Sequence, residues 1–382
     1  MRPQDRENAK PQGRSPAASA PAPRERRYAP SMTAPLLVLA VFLLLLLVRF
    51  ISPYIFDREN EVILLTVVQV LIFMLPAVIY LRLCRVSLRR LRPAPFGINH
   101  ILLIVSAVIA ATAGSLLLDL AASGYDAFSD TYTLYGAFSA PVGDGAARTL
   151  YLALVYAALP AFCEELVFRA ILCAEYESDG GSFSAVVLTS LWFAMLHFDT
   201  RSFLVYFLAG MLLSLTLYAT RSFFAAFAVH LGYDLIAVFG APLFRTFYDA
   251  GGKTLYILIL GVAALFALTV FFGECARLYG SYADRALDSS YRGSYSAAPQ
   301  AGDAERAKAA PSVPAAPGDP TGQKAPNGQK FPTGPNAQSA PPESHGLRES
   351  LRRAFAGNAR AFLAPSALLC YLLYIAVILF LN

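Results

Sequence analysis

The chain has 382 residues, of which 56% are hydrophobic and 15% are charged, and its formal net charge is +5. A soluble protein cannot usually hide so much apolar surface, and several apolar runs approach the roughly 20 residues that cross a bilayer. The basic residues cluster beside these runs, where they orient membrane helices, so the positive charge does not indicate a nucleic-acid partner. The composition predicts a multi-pass integral membrane protein in contact with membrane lipid.

The N-terminal segment, residues 1–33, is rich in Pro, Ala and Arg and has no apolar period. We predict that it is disordered, and its arginines predict a cytoplasmic location. The first apolar run follows this tail and is too long for the apolar core of a signal peptide, so we expect no cleaved leader.

The apolar runs predict an all-α fold, a polytopic transmembrane bundle of about eight to nine helices. We predict the bundle over residues 34–280, a disordered Pro/Ala/Gly-rich linker over 281–360 and a last transmembrane helix over 361–382. The predicted spans are 34–50, 62–80, 101–121, 147–173, 183–198, 202–219, 223–239, 255–272 and 362–381.

The loops between these spans alternate in charge. A loop with five arginines, 82–92, follows the second span, whereas the loop over residues 123–146 carries acids and neither Lys nor Arg. Alternating spans therefore bring every basic cluster to one side, which we interpret as the cytoplasmic side. In this topology Glu164 lies in mid-membrane, His197 lies near the outer end of its span, and His230 lies toward the cytoplasm.

The fourth span carries costly charges at membrane depth: Glu164, Glu165 and Arg169. Intramembrane ionisable residues are rare and are candidate functional residues by default. Glu165 and Arg169 are four apart and can pair on one helix face, which leaves Glu164 without a partner in its own helix. Pro160, one turn earlier, removes a backbone hydrogen bond and predicts a bend.

Two other spans supply candidate partners for Glu164. His230 and Asp234 share one helix face, and Phe193 and His197 have the same spacing of four residues. We predict that Glu164, His197, His230 and Asp234 converge, with Glu165, Arg169 and Phe193 as supporting residues.

This set of side chains fits hydrolysis of an amide within the membrane. A carboxylate and an imidazole that share a water molecule act as a general base, and a second imidazole can stabilise an oxyanion. We expect no cofactor. Zinc held by His197, His230 and Asp234 is the open alternative, with metal-bound water as the nucleophile, although the sequence has no HExxH motif.

Three ordered motifs carry a resemblance to a known family. They are Glu164-Glu165-x-x-x-Arg169, Phe193-x-x-x-His197 and His230-x-x-x-Asp234, with Gly210 and the turn 218–222 between the last two. Together they resemble the CPBP intramembrane proteases, the family of the type II CAAX prenyl endopeptidase and of the bacteriocin-processing and self-immunity proteins often called Abi. The resemblance covers about residues 147–239.

The resemblance implies a role for each motif residue. Glu164 resembles the glutamate that activates water together with the second-motif histidine, here His197. His230 and Asp234 resemble the pair that stabilises the oxyanion, and Glu165 and Arg169 resemble structural residues. The last motif of the family commonly ends in Asn, and an ionised Asp234 cannot donate a hydrogen bond. Asp234 is therefore protonated, or orients His230, or binds a metal.

The sequence and the resemblance together predict an intramembrane endopeptidase, of glutamic type or metal-dependent. We expect it to act on a hydrophobic or lipidated peptide or protein in a bacterial plasma membrane, with a cytoplasmic N-terminus. The alternatives are a non-catalytic immunity or scaffold protein, a proton-coupled transporter, and a nucleophilic Cys163. Cys163 and Glu164 are neighbours on a helix and point about 100° apart, so both cannot face one water molecule.

Overall fold

The fold is known from a computed structural model, which describes residues 29–55, 66–84, 92, 94–123, 145–295 and 356–381. All regular elements in these ranges are helical, so the predicted all-α class is confirmed. Most of the predicted N-terminal tail, the acidic loop and most of the linker lie outside the described residues. Helix α1 begins at Pro30, so the last four residues of the predicted tail, 30–33, are helical.

The helices of the described part are numbered in chain order. They are α1 Pro30–Ile55, α2 Thr66–Leu83, α3 Ile101–Ser123, α4 over 146–179, α5 Gly180–Leu196, α6 Phe203–Thr220, α7 over 223–251, α8 over 253–295, α9 Ala356–Phe362 and α10 Pro365–Leu381. Seven helices are long and apolar enough to cross a membrane, and α9 with α10, bent by 44°, form an eighth candidate span. The chain is therefore a multi-pass integral membrane protein.

Helix α4, which carries the first motif, departs twice from regular α geometry. A π-helical turn, Leu154–Ala158, precedes Pro160, and a second one, Leu166–Leu172, follows the two glutamates. The proline lacks a backbone N–H and cannot continue the regular ladder. Such π turns accommodate this break and re-aim the side chains beyond it. The local distortion predicted at Pro160 thus takes the form of a wider turn.

Helix α5 is shorter than the seven candidate spans. Its second residue, Gly181, has a φ of 85°, in the left-handed region that favours glycine, and this break separates α5 from α4. With Gly180–Leu196 as its bounds, α5 does not reach the length of a candidate span. The predicted fifth span therefore corresponds to an apolar helix that is shorter than the seven candidate spans.

Helices α5 and α6 form a close antiparallel hairpin. A Cβ built on Gly210 would lie 2.9 Å from the Cα of Ser190, so only glycine permits this approach. The buried hydroxyls of Thr189 and Ser214 lie 3.2 Å apart across the same contact. Small residues such as Gly210 and Ser214 therefore allow the two helices to approach closely.

Helices α7 and α8 are joined at Gly252, where a φ of 70° and a ψ of 170° break one long helical run. Helix α3 packs against both. Leu103 lies in one cluster with Phe271 and Leu278, whereas Leu120 lies in another with Tyr256. Residue numbers rise along α3 as they fall along α8, so these two helices are antiparallel.

Both ends of the predicted linker, 281–360, are helical. Helix α8 continues to Tyr295 and helix α9 starts at Ala356, both inside the predicted 281–360. Good helix formers such as Ala286 and Leu287 follow the last apolar turn, which favours continuation of the helix. The segment between, 296–355, lies outside the described residues.

The ends that we predict to be cytoplasmic meet at one end of the bundle. Thr33 bonds to Tyr80, Tyr80 to Glu175, and Arg92 to Glu177. This agrees with the alternation of spans. The assignment of that end to the cytoplasm stays a prediction.

Candidate active site

Five of the predicted residues lie together where α4 meets α7. They are Glu164, Glu165 and Arg169 of α4 with His230 and Asp234 of α7. Their side chains differ in exposure: Glu165 and Arg169 are 0% exposed, whereas Glu164 is 13% exposed. Of the two adjacent glutamates, only Glu164 is therefore accessible to a substrate or a water molecule.

One oxygen of the Glu165 carboxyl group, Oε1, contacts two charged neighbours. Its Oε1 accepts a 2.8 Å hydrogen bond from Nδ1 of His230 and lies 3.0 Å from Nη1 of Arg169. A buried carboxylate needs such partners, because desolvation without them is costly. Arg169 also donates to the carbonyl oxygen of Gly210 and lies 4.5 Å above the ring of Phe193. These two residues hold α4, α5, α6 and α7 together.

The second nitrogen of His230 faces the two remaining carboxyl groups. Its Nε2 lies 3.6 Å from Oδ2 of Asp234 and 4.0 Å from Oε2 of Glu164. Both distances are beyond an ordinary hydrogen bond, so Nε2 is not hydrogen-bonded to either carboxyl group. The carboxyl of Asp234 orients and electrostatically supports the imidazole from one turn away on the same helix.

His197 directly follows the last residue of α5. A hydrogen bond to a backbone carbonyl oxygen of that helix fixes the tautomer of its ring. Its Nδ1 lies 2.7 Å from the carbonyl oxygen of Phe193. Because a carbonyl oxygen can only accept, Nδ1 carries the hydrogen and Nε2 has a free lone pair in the neutral ring. That arrangement leaves Nε2 as a proton acceptor.

The structure does not bring His197 into direct contact with Glu164. Instead the ring of Phe193 contacts both histidines, with centroid separations of 4.8 Å to His197 and 5.7 Å to His230. Because α5 is short, His197 lies close to the level of His230 in the bundle, although we predicted a position near the outer end of its span. The expected convergence therefore holds for Glu164, His230 and Asp234, with His197 one aromatic ring away.

Sequence reasoning missed three polar residues near this cluster. Gln69 of α2 donates from Nε2 to Oε1 of Glu164 over 3.4 Å, at the start of the π-helical turn Val70–Met74. Asp119 of α3 interacts with Ser202 beside α6. Gln69 and Asp119 are polar residues inside predicted spans, and that signal could have identified them. The third, Tyr206, carries no such signal in a chain with 20 tyrosines.

A small cavity of about 50 Å³ lies between α3, α5, α6 and α7. His197, His230 and Asp234 line it on one side, and small or apolar residues such as Ala111, Ala209 and Val229 line the rest. Its polar groups thus converge on an apolar space, which is the usual character of a binding site.

The positions of the donor groups bear on metal binding. Among the described residues, no group of three or more His, Cys, Asp or Glu side chains is arranged to hold a metal ion. Nδ1 of His230 is bonded to Glu165 and Nδ1 of His197 to a carbonyl oxygen, so Nε2 is the ring nitrogen that each histidine could offer to a metal.

The described helices bury carboxyl and imidazole groups beside a cavity, which is compatible with hydrolysis within the membrane. Residues 146–236 match the family model described as type II CAAX prenyl endopeptidase Rce1-like. The chain thus carries a domain of the CAAX protease family, and the predicted CPBP relationship is confirmed. Neither a curated protein nor a solved structure matches it.

Proposed function

We propose that the chain is an intramembrane endopeptidase that hydrolyses a peptide bond of a hydrophobic or lipidated substrate. The observation that carries this proposal is that two adjacent glutamates differ in exposure and in their partners. Glu165 is buried and held by Arg169 and His230, whereas Glu164 is partly exposed and lies beside the free Nε2 of His230. If the acids served only to stabilise the bundle, Glu165 paired with Arg169 would suffice and Glu164 would not be needed.

In the proposed reaction, Glu164 is the general base. It accepts a proton from water while the water oxygen attacks the carbonyl carbon of the scissile bond. His197 accepts a hydrogen bond at its free Nε2 and orients the same water molecule. The proton then passes from Glu164 to the leaving nitrogen, the C–N bond breaks, and the products are a carboxylic acid and an amine.

His230 is the proposed electrostatic partner of the tetrahedral intermediate. With Nδ1 bonded to Glu165, a protonated His230 directs Nε2–H toward the cavity, where it donates to the developing oxyanion. Asp234 is the proposed orienting residue, since a carboxylate cannot itself donate. This role agrees with the 3.6 Å separation between Asp234 and Nε2 of His230.

The proposed substrate class follows from the apolar cavity and the family of the domain. It includes prenylated C-terminal peptides in a host that makes them, and otherwise leader peptides or membrane-protein segments. We propose a bacterial plasma membrane as the location, with the N-terminus in the cytoplasm, because the basic segments flank one set of helix ends.

The test is cleavage by the purified full-length protein in detergent, across a panel of prenylated and hydrophobic leader peptides. Glu164→Gln preserves size and removes the base, so we expect kcat to fall by about 10²- to 10⁴-fold. Cys163→Ala is the matched control on the neighbouring residue, and it should retain activity. Each protein is assayed with and without a zinc chelator.

The outcomes separate the alternatives. Activity that survives in Glu164→Gln would favour a different mechanism, and loss in Cys163→Ala would favour the cysteine nucleophile. Loss on chelation with recovery on added zinc would replace the water-activating glutamate with a metal site at His197, His230 and Asp234. Equal function of wild type and Glu164→Gln in a cellular immunity assay, without any cleavage, would favour the scaffold.

A further inference from the structure

A tyrosine outside the three motifs shares the cavity wall with the second-motif histidine. The rings of Tyr206 and His197 are stacked, with a centroid separation of 3.7 Å and an interplanar angle of 19°. Tyr206 lies in the first turn of α6, and His197 directly follows α5. The α5–α6 hairpin therefore fixes the phenol ring at the same time as the imidazole.

Two phenol groups line this cavity, and they differ in how their hydroxyls are engaged. The hydroxyl of Tyr233 on α7 interacts with the side chain of Ser115 on α3. Within the described part of the chain, the hydroxyl of Tyr206 has no hydrogen-bond partner. An O–H donor beside a cavity thus remains free for a ligand.

The proposed reaction needs such a donor. The oxyanion of a tetrahedral intermediate is stabilised by preorganised donors, and in the described cluster only Nε2 of His230 is placed to serve. Asp234, which also lines the cavity, accepts hydrogen bonds when ionised and does not donate them. A phenol is neutral at physiological pH and keeps its proton, so Tyr206 has the chemistry that Asp234 lacks.

We infer that Tyr206 is a further catalytic residue whose hydroxyl donates a hydrogen bond to the substrate carbonyl oxygen as that oxygen becomes an oxyanion. The inference rests on the proposed function. Tyr206 transfers no proton and forms no covalent bond in this role. His197 holds the ring through stacking, so one contact positions both the water-orienting imidazole and the oxyanion donor.

The test compares variants of the full-length protein on one cleaved peptide from the panel. Tyr206→Phe removes the hydroxyl and preserves the stacked ring. We expect kcat to fall by roughly 10²-fold, with KM changed by less than about twofold, because the lost contact acts on the oxyanion and not on the bound substrate. Tyr206→Leu, which also removes the stacking, should lose more activity.

The matched control is Tyr218→Phe on the same helix. Tyr218 lies near the other end of α6, under the guanidinium group of Arg92 at 4.9 Å, away from the cavity. This variant should retain the kcat of the wild type. Thermal unfolding in detergent should give similar midpoints for Tyr206→Phe and Tyr218→Phe, which separates chemistry from folding.

The remaining outcomes either overturn the inference alone or overturn it together with the proposed function. Full kcat in Tyr206→Phe, with Glu164→Gln inactive in the same assay, would overturn only the role of Tyr206. Loss of activity in Tyr233→Phe with full activity in Tyr206→Phe would show that Tyr233 is the donor, and this would overturn the inference. If wild type cleaves nothing, or Glu164→Gln cleaves equally well, the proposed function and the inference fail together.

Discussion

Two salt bridges with the same sequence spacing occupy opposite environments in this protein. Glu165 and Arg169 are completely buried, whereas Arg245 and Asp249 are 33% and 51% exposed. An exposed pair contributes little because water and salt screen it. Removal of one partner from a buried pair leaves an uncompensated charge in an apolar environment. For a single pair of residues, burial therefore decides how much the loss of one partner changes the free energy of unfolding.

Arg169→Met should therefore destabilise the protein strongly, by about 3–5 kcal/mol, since Glu165 would retain only His230 as a partner. The control Arg245→Met, which breaks the exposed pair, should cost less than about 1 kcal/mol. Thermal or denaturant unfolding in detergent measures both. Similar midpoints for the two variants would contradict the structural role of Arg169.

At the scale of elements, the site depends on how closely α5 approaches α6. The second motif lies at the end of α5, and Gly210 of α6 permits the contact with Ser190. The same Gly210 carbonyl accepts a hydrogen bond from Arg169 of α4. One residue without a side chain thus sets the spacing of the hairpin and gives the buried arginine an acceptor.

Gly210→Ala should separate the two helices and destabilise the protein by about 1–3 kcal/mol, because the new methyl group overlaps the backbone of α5. Gly114→Ala of α3 is the matched control, since a Cβ at that position meets nothing within 4 Å. That change should be neutral or stabilising by up to about 1 kcal/mol. Equal unfolding midpoints for both variants would rule out the close approach.

The parts of the site that the sequence predicted are those set by helical periodicity. Residues four apart meet on one helix, as Glu165 with Arg169 and His230 with Asp234 do. Contacts between helices depend on tilt, helix length and packing, which periodicity does not encode. The bond between Gln69 and Glu164, 95 positions apart, and the stacking of Tyr206 on His197 are contacts of this kind.

At the scale of the whole molecule, the far C-terminus returns to the bundle behind the second motif. Tyr371 of α10 stacks on Trp192 of α5 with centroids 4.9 Å apart, and Trp192 donates from Nε1 to the hydroxyl of Tyr176 on α4. The sulfur of Cys370 also contacts the backbone of Pro35 in α1. The last helix therefore packs on the helix that ends at His197, although its sequence predicted only that it spans the membrane.

This packing can be tested directly because Trp192 is the single tryptophan of the chain. Tyr371→Ala should change the wavelength and intensity of its fluorescence and lower the unfolding midpoint, because an aromatic pair contributes about 0.5–1.5 kcal/mol beyond its buried area. Leu372→Ala alters the next residue, which is 66% exposed, and should leave the emission unchanged. If the two variants gave the same spectrum, the docking of α10 on α5 would be wrong. If only Tyr371→Ala loses peptide cleavage as well, the last helix holds His197 in position through Trp192.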